Sequence, residues 1–231
     1  KNMLYSIARR YERSHGYGPE KYDRAKAIYS KLLTDYPDFN KSRAMRGIRR
    51  CELLKAVDTE NDDNVISELD RLLREFKDTG NISGELARIA EQYSKRAKEY
   101  FSDGKTDKSR NYHQKAAILW ERLFRDYPRS NSTAEHSHWA IYSFYVVSEY
   151  NKALECCDRI LEDYPDYKFA WHSLNMKGRI YKTMMKKNII PEEEAVPLIR
   201  EIYTAFATEY PDNPAAFQAE QWLENNTGSN K

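Results

Sequence analysis

Five short apolar stretches of this chain end on the tripeptide Asp-Tyr-Pro or a near variant of it. The five are Asp35-Tyr36-Pro37, Glu75-Phe76-Lys77, Asp126-Tyr127-Pro128, Asp163-Tyr164-Pro165 and Glu209-Tyr210-Pro211. The same ladder stands 12, 8 and 5 positions before each third residue: Ala25, Tyr29, Leu32; Val65, Leu69, Leu72; Ala116, Trp120, Leu123; Ala153, Cys157, Ile160; Ile199, Tyr203, Phe206. Steps of four and three are helical spacing, so each ladder is one buried stripe that the proline terminates. A motif recurring in this way predicts a helical repeat array, which argues for a binding scaffold rather than a catalyst.

The residues upstream of each ladder supply a first helix to pair with it. Leu4, Ile7, Ala8 and Tyr11 form a stripe that Leu86, Ile89, Ala90 and Tyr93 reproduce at the same offsets. Leu174, Gly178 and Tyr181 match three of those positions, with Lys177 at the fourth, and Ala140, Ile141 and Phe144 give an altered copy. The small residue lets two helices approach closely, and the aromatic three positions on fills the gap beside it. This arrangement resembles the tetratricopeptide repeat, whose 34-residue frame residues 134–165 fit through Ala140, Phe144, Tyr150, Ala153, Ile160 and Pro165. The resemblance implies an all-α helix-pair solenoid, a right-handed superhelix with first helices lining its concave face. The expected units are about 1–37, 40–77, 83–128, 134–165 and 171–211, with a cap at 214–225, all in one repeat domain over 1–225 followed by a frayed tail at 226–231.

The closing tripeptides lie 40, 51, 37 and 46 residues apart, all above 34, so longer helices or loops must take up the surplus. Turn formers and charge place candidate loops at Ser14 to Lys21, Asp58 to Asp63, Ser102 to Arg110 and Lys186 to Glu194. In the cap, Phe217 and Trp222 are expected to face back onto the last pair. The combination of uneven units with Tyr-Pro ends is similar to bacterial outer-membrane assembly lipoproteins and to the periplasmic factor associated with the Tol-Pal system. Asp126-Tyr127-Pro128-Arg129-Ser130, Ala134, Tyr150, Ala153 and Tyr164-Pro165 carry that likeness. It implies a periplasmic or cell-envelope location, with the cytoplasm as the alternative.

Charged residues make up 32% of the chain, and Gly and Pro number only 8 each, as suits helices with polar outer faces. The net charge of +2 hides a gradient: residues 1–60 carry 14 Lys/Arg against 8 Asp/Glu, and 190–231 carry 2 against 8. Cys51, Cys156 and Cys157 have no metal-ligand spacing, and Cys157 belongs to a ladder. No apolar run approaches a membrane span. The sequence opens on Lys1 rather than Met, which leaves room upstream for an export signal or lipid anchor, and the polar last helix is expected to end the array.

In the repeat frame, first-helix positions 2, 5, 9 and 12 face the groove. The fourth unit places Glu135, His138, Tyr142 and Tyr145 there, and the fifth His172, Asn175, Arg179 and Lys182. Tyrosines beside amide and guanidinium donors suit an extended peptide with a carboxylate, so these residues form a candidate peptide-binding groove. Arg43, Arg46, Arg49 and Arg50 form a candidate basic patch for a phosphate or acidic partner, Arg43, Arg46 and Arg50 sharing one helix face. His136 and His138 turn to different sides, and Glu192, Glu193 and Glu194 suit a helix amino end. No catalytic, cofactor-binding or metal-binding constellation is recognisable. The predicted function is therefore a non-enzymatic adaptor that binds a protein or peptide partner, with nucleic acid as a partner disfavoured by the near-neutral charge. The rival is a self-assembly module that joins the basic end of one copy to the acidic end of another; an enzyme is the third alternative.

Overall fold

The computed structural model describes residues 1–14, 18–76, 83–127 and 133–226. Among them are eleven α-helices and no strand: α1 (Asn2–Arg13), α2 (Glu20–Asp35), α3 (Lys41–Asp58), α4 (Val65–Glu75), α5 (Ser83–Ser102), α6 (Thr106–Asp126), α7 (Thr133–Val146), α8 (Tyr150–Asp163), α9 (Ala170–Lys186), α10 (Glu192–Glu209) and α11 (Ala216–Asn226). These are five helix pairs followed by a single helix, a helix-pair solenoid of the expected class. All fifteen ladder residues are buried, so each second helix does set its stripe into the core. Lys77, Pro128, Arg129, Ser130, Gly16 and the end of the tail lie outside the described residues.

The Tyr-Pro ends work through a turn as well as through proline's missing donor. Tyr36, Tyr164 and Tyr210 leave the helix with φ between −131° and −139° and ψ between 52° and 77°, outside the α region that a following proline disfavours. Each tyrosine carbonyl then accepts a hydrogen bond from the residue three further on: Phe39 at 2.9 Å, and Tyr167 and Asn213 at 3.0 Å. Proline therefore sits at the second position of a β-turn and Asp at the third, which reverses the chain into the next first helix.

The opposite ends of the pairs also share one solution. At the close of α3, α5, α7 and α9 a residue with positive φ stands past the helix: Glu60, Gly104, Ser148 and Asn188. The next N–H reaches back five residues, from Asn61 to Ala56, Lys105 to Tyr100, Glu149 to Phe144 and Ile189 to Met184, at 2.8–2.9 Å. This is a Schellman closure, which satisfies the orphan carbonyls of the last turn. The loop expected over Ser102 to Arg110 is accordingly only a few residues long. The surplus of the third pair sits in its helices, α5 with 20 residues and α6 with 21.

Packing divides the chain into two compact units, Lys1–Leu119 and Trp120–Lys231, where the sequence predicts one repeat domain. In the first, α1, α2 and α3 pack in succession, and α3 also meets α4 and α5. Tyr112 of α6 lies edge-on to Tyr93 and Tyr100 of α5. In the second, α7 to α11 pack in succession and α7 also touches α9. Small residues allow close approach in both: a Cβ at Gly47 would run into the Tyr29 ring, and one at Gly178 into the Tyr203 ring. Trp222 of α11 packs edge-on to Tyr203 as expected. Phe217 does not face back: it is 62% exposed, because Ala216 and Ala219 occupy the buried side of α11.

Candidate functional site

The α7–α9 contact brings the predicted groove residues of the fourth and fifth pairs together. His138 and His172 stand with ring centroids 4.7 Å apart. Phe169 stacks on His138 at 5.5 Å, and Tyr167 lies edge-on to it at 6.3 Å. Two helical turns along, Tyr145 meets Thr183 at 3.1 Å. Thr183 gives its own proton to the Arg179 carbonyl, so the Tyr145 hydroxyl is the donor in that contact. Between these crossings Tyr142 is 41% exposed, Asn175 is half-buried and Arg179 is exposed.

Lys177 of α9 pairs with Asp158, but the positive charges further along the helix have no such acid among the described residues. Lys182 lies over the Tyr203 ring at 5.7 Å, and none of Arg179, Lys182 and Lys186 has a carboxylate within 4.0 Å among the described residues. Burial, then Lys186 and Arg179, hold the Lys182 ammonium below its ordinary value. Burial, helped by His138 and Arg179, lowers His172 to about 4, so its imidazole is neutral at pH 7. The seam thus offers rings, amide donors and uncompensated cations on one face. His136 turns away to meet Trp120, the two rings tilted with centroids 5.7 Å apart. No group of three or more His, Cys, Asp or Glu is arranged to hold a metal among the described residues.

The predicted basic patch does not form one surface. Arg50 is 2% exposed and lies in the core of the first unit. Its Nε and Nη2 donate to Glu12 at 3.0 and 2.5 Å, and its Nη1 donates to both oxygens of Glu85 at 2.7 Å. Tyr29 adds a hydrogen bond to Glu12 at 2.6 Å. Burial pushes the Glu12 carboxyl up, but Arg50, with Tyr29 and Arg9, outweighs that and holds it below the usual carboxylate range. Of the other three arginines, Arg43 stacks over Tyr5 at 4.0 Å, Arg46 is half-buried, and Arg49 pairs with Glu52 at 3.4 Å. The i, i+3, i+4 spacing therefore reads the face correctly and its environment wrongly, since that face of α3 turns partly inward.

Glu12 and Glu85 escape a sequence reading, although a signal for Arg50 is present. Arg50 follows Gly47 by three residues, as Tyr11 follows Ala8, Tyr93 follows Ala90 and Tyr181 follows Gly178. That position is buried at Tyr93 and half-buried at Tyr11 and Tyr181, so it faces at least partly inward. All three thiols are buried as well, and burial raises those of Cys51, Cys156 and Cys157, which makes them poor nucleophiles at pH 7.

Residues 4–38, which span α1, α2 and the first Tyr-Pro turn, match the tetratricopeptide repeat family. No curated protein matches the chain. The matched repeat is one that generally mediates protein–protein interaction. No helix among the described residues is long and apolar enough to cross a membrane.

Proposed function

We propose that this chain is a non-enzymatic adaptor whose α7–α9 face binds an extended segment of a partner protein. The carrying observation is the set of uncompensated cations Arg179, Lys182 and Lys186 along α9, together with the exposed rings of Tyr142 on α7 and Phe169 at the start of α9. Such a surface suits a peptide that brings a carboxylate and an apolar or aromatic side chain together, since guanidinium and amide donors bond acid and backbone alike. The helix pairs are held rigidly by buried ladders, so little ordering cost attaches to the protein's side of the interface. A setting in a bacterial cell-envelope complex is part of the same reading, supported by the likeness of residues 126–165 to repeats of that kind.

The test is fluorescence anisotropy with extended peptides that carry an aromatic residue and a free C-terminal carboxylate. Arg179→Ala and Tyr142→Ala should each weaken binding by about five-fold or more while helical circular dichroism is unchanged. Equal affinity in both variants would remove the α7–α9 face from the reading.

A further inference from the structure

In the first unit, two arginines from different helices share an oxygen that is already taken. Arg9 of α1 and Arg88 of α5 reach Glu12 Oε2 at 3.4 and 3.5 Å, both long for a hydrogen bond to a charged group. The same oxygen accepts Arg50 Nε at 3.0 Å, and Glu85 is wholly engaged by Arg50. Arg13, exposed and one helical turn beyond Arg9 on α1, shares that residue's face. Among the described residues, three guanidiniums therefore meet the two carboxylates, and a fourth, Arg13, stands beside Arg9 on α1.

The surplus is directed outward. The side chains of Arg9 and Arg88 are 24% and 20% exposed, and neither has a second acceptor among the described residues. A guanidinium carries five N–H donors, so most of theirs remain unused at the rim of a rigid, buried network. Burial, with Arg9 and Arg50 pressing on it, lowers the Arg88 guanidinium to about 10 although Glu12 partly offsets this. Cations held together in this way weaken the fold unless an anion joins them, which is the pattern expected of a binding site.

We propose that Arg9, Arg13 and Arg88 form an oxyanion site above the Arg50–Glu12–Glu85 network, and that its ligand is a phosphate monoester. The surplus of two positive charges matches a phosphate dianion. A tetrahedral phosphate also presents three oxygens to three guanidiniums, whereas a carboxylate presents two oxygens and one charge. Glu12 lies beneath and keeps the anion on the outer edges of the arginines, while Arg50 fixes Glu12 in place.

Calorimetric titration at constant ionic strength tests this with three probes: inorganic phosphate, a phosphoserine hexapeptide and the same peptide unphosphorylated. The phosphopeptide should bind about ten-fold or more tightly than its unphosphorylated form, and Arg9→Gln and Arg88→Gln should each lower that affinity about ten-fold. The unfolding midpoint of each variant should stay close to that of the wild type, because Arg50 still pairs both carboxylates and the relief of repulsion offsets the lost long contact to Glu12. Arg71→Gln, remote and paired with Glu68, should change nothing. Peptide binding tighter than inorganic phosphate assigns a protein-borne phosphate, and equal binding assigns a small-molecule one. Equal affinity for the two peptides, or loss of binding only where the midpoint also falls, overturns the site.

Discussion

Arg50 in the first unit and Tyr181 in the second stand at the same place in their helices, three residues after a glycine pressed against a ladder tyrosine. Gly47 meets Tyr29 of the preceding second helix, and Gly178 meets Tyr203 of its own pair. Around Tyr203 the space is closed mainly by rings and aliphatic chains, Trp222 edge-on at 5.4 Å with Tyr181 and Met185 at the margin of the same apolar cluster, and Lys182 lies over the ring at 5.7 Å. Around Tyr29 it is closed by charge, Arg50 and Glu12 both bonding the tyrosine hydroxyl. Close helix approach fixes the volume to be filled and leaves its chemistry open. Ring packing tolerates small changes in shape, whereas a buried ion network holds only while every member is present.

The largest expected effect breaks that network. Arg50→Tyr installs the second unit's residue in the first and leaves Glu12 and Glu85 buried without their cation, at a cost of about 3–5 kcal/mol by urea unfolding. Adding Glu12→Gln and Glu85→Gln removes the stranded charges and should recover most of the loss. A single Arg50→Tyr variant as stable as the wild type would show that the network contributes nothing. The ladders, the Tyr-Pro ends and the pairing of helices were all legible, because periodicity, proline and small residues act locally. Arg50 was not, since its partners Glu12 and Glu85 lie 38 and 35 residues away and only the glycine three positions before it hints at burial. In the groove, the repeat frame brings out His138 and His172, but Phe169 and Tyr167 arrive on the turn after Pro165, outside any helical register. Phe217 misleads for a simpler reason: two alanines on α11 allow the closer approach that a phenylalanine would block.

Acid should separate the two regions by the order in which they fail. A histidine kept neutral by the fold takes up its proton more readily once unfolded. His172 therefore contributes fully above its ordinary value of 6.5, and the contribution is lost as pH falls toward about 4. Glu12, held below 4.5, has the same sign but a lower window: its share is complete above 4.5 and is lost only as pH drops through its lower folded value. The ring seam thus weakens first and the ion network second. His172→Asn should remove roughly 1–2 kcal/mol of the decline between pH 6.5 and 4, discounted for partial exposure. His113 of α6, in the first unit, is lowered to about 4 by burial and Lys98 and declines over the same window, so the order is read from the difference between variant and wild type. A wild-type stability flat over that window would contradict a neutral buried His172.

The smallest effect lies in the turns, where the two units again differ. Gly104 and Ser148 close α5 and α7 with φ of 74° and 67° in otherwise matching Schellman ends. A serine there costs roughly 1–2 kcal/mol of backbone strain that glycine avoids, and glycine's greater freedom in the unfolded chain returns about 0.5–1 kcal/mol of that difference. Ser148→Gly should therefore stabilise by about 0.5–1 kcal/mol. The two contacts given up are long, the Tyr150 hydroxyl and the Lys187 ammonium donating to Ser148 at 3.3 and 3.4 Å, while Lys187 keeps its own bond to Tyr150 at 2.7 Å. Gly104→Ala should cost about as much, and there nothing lies within 4 Å of the added Cβ, so the change reads the backbone alone. Opposite signs from the two substitutions would confirm that one turn geometry serves both units, and a destabilised Ser148→Gly would mean that the serine hydroxyl, not the backbone, decides the end of α7.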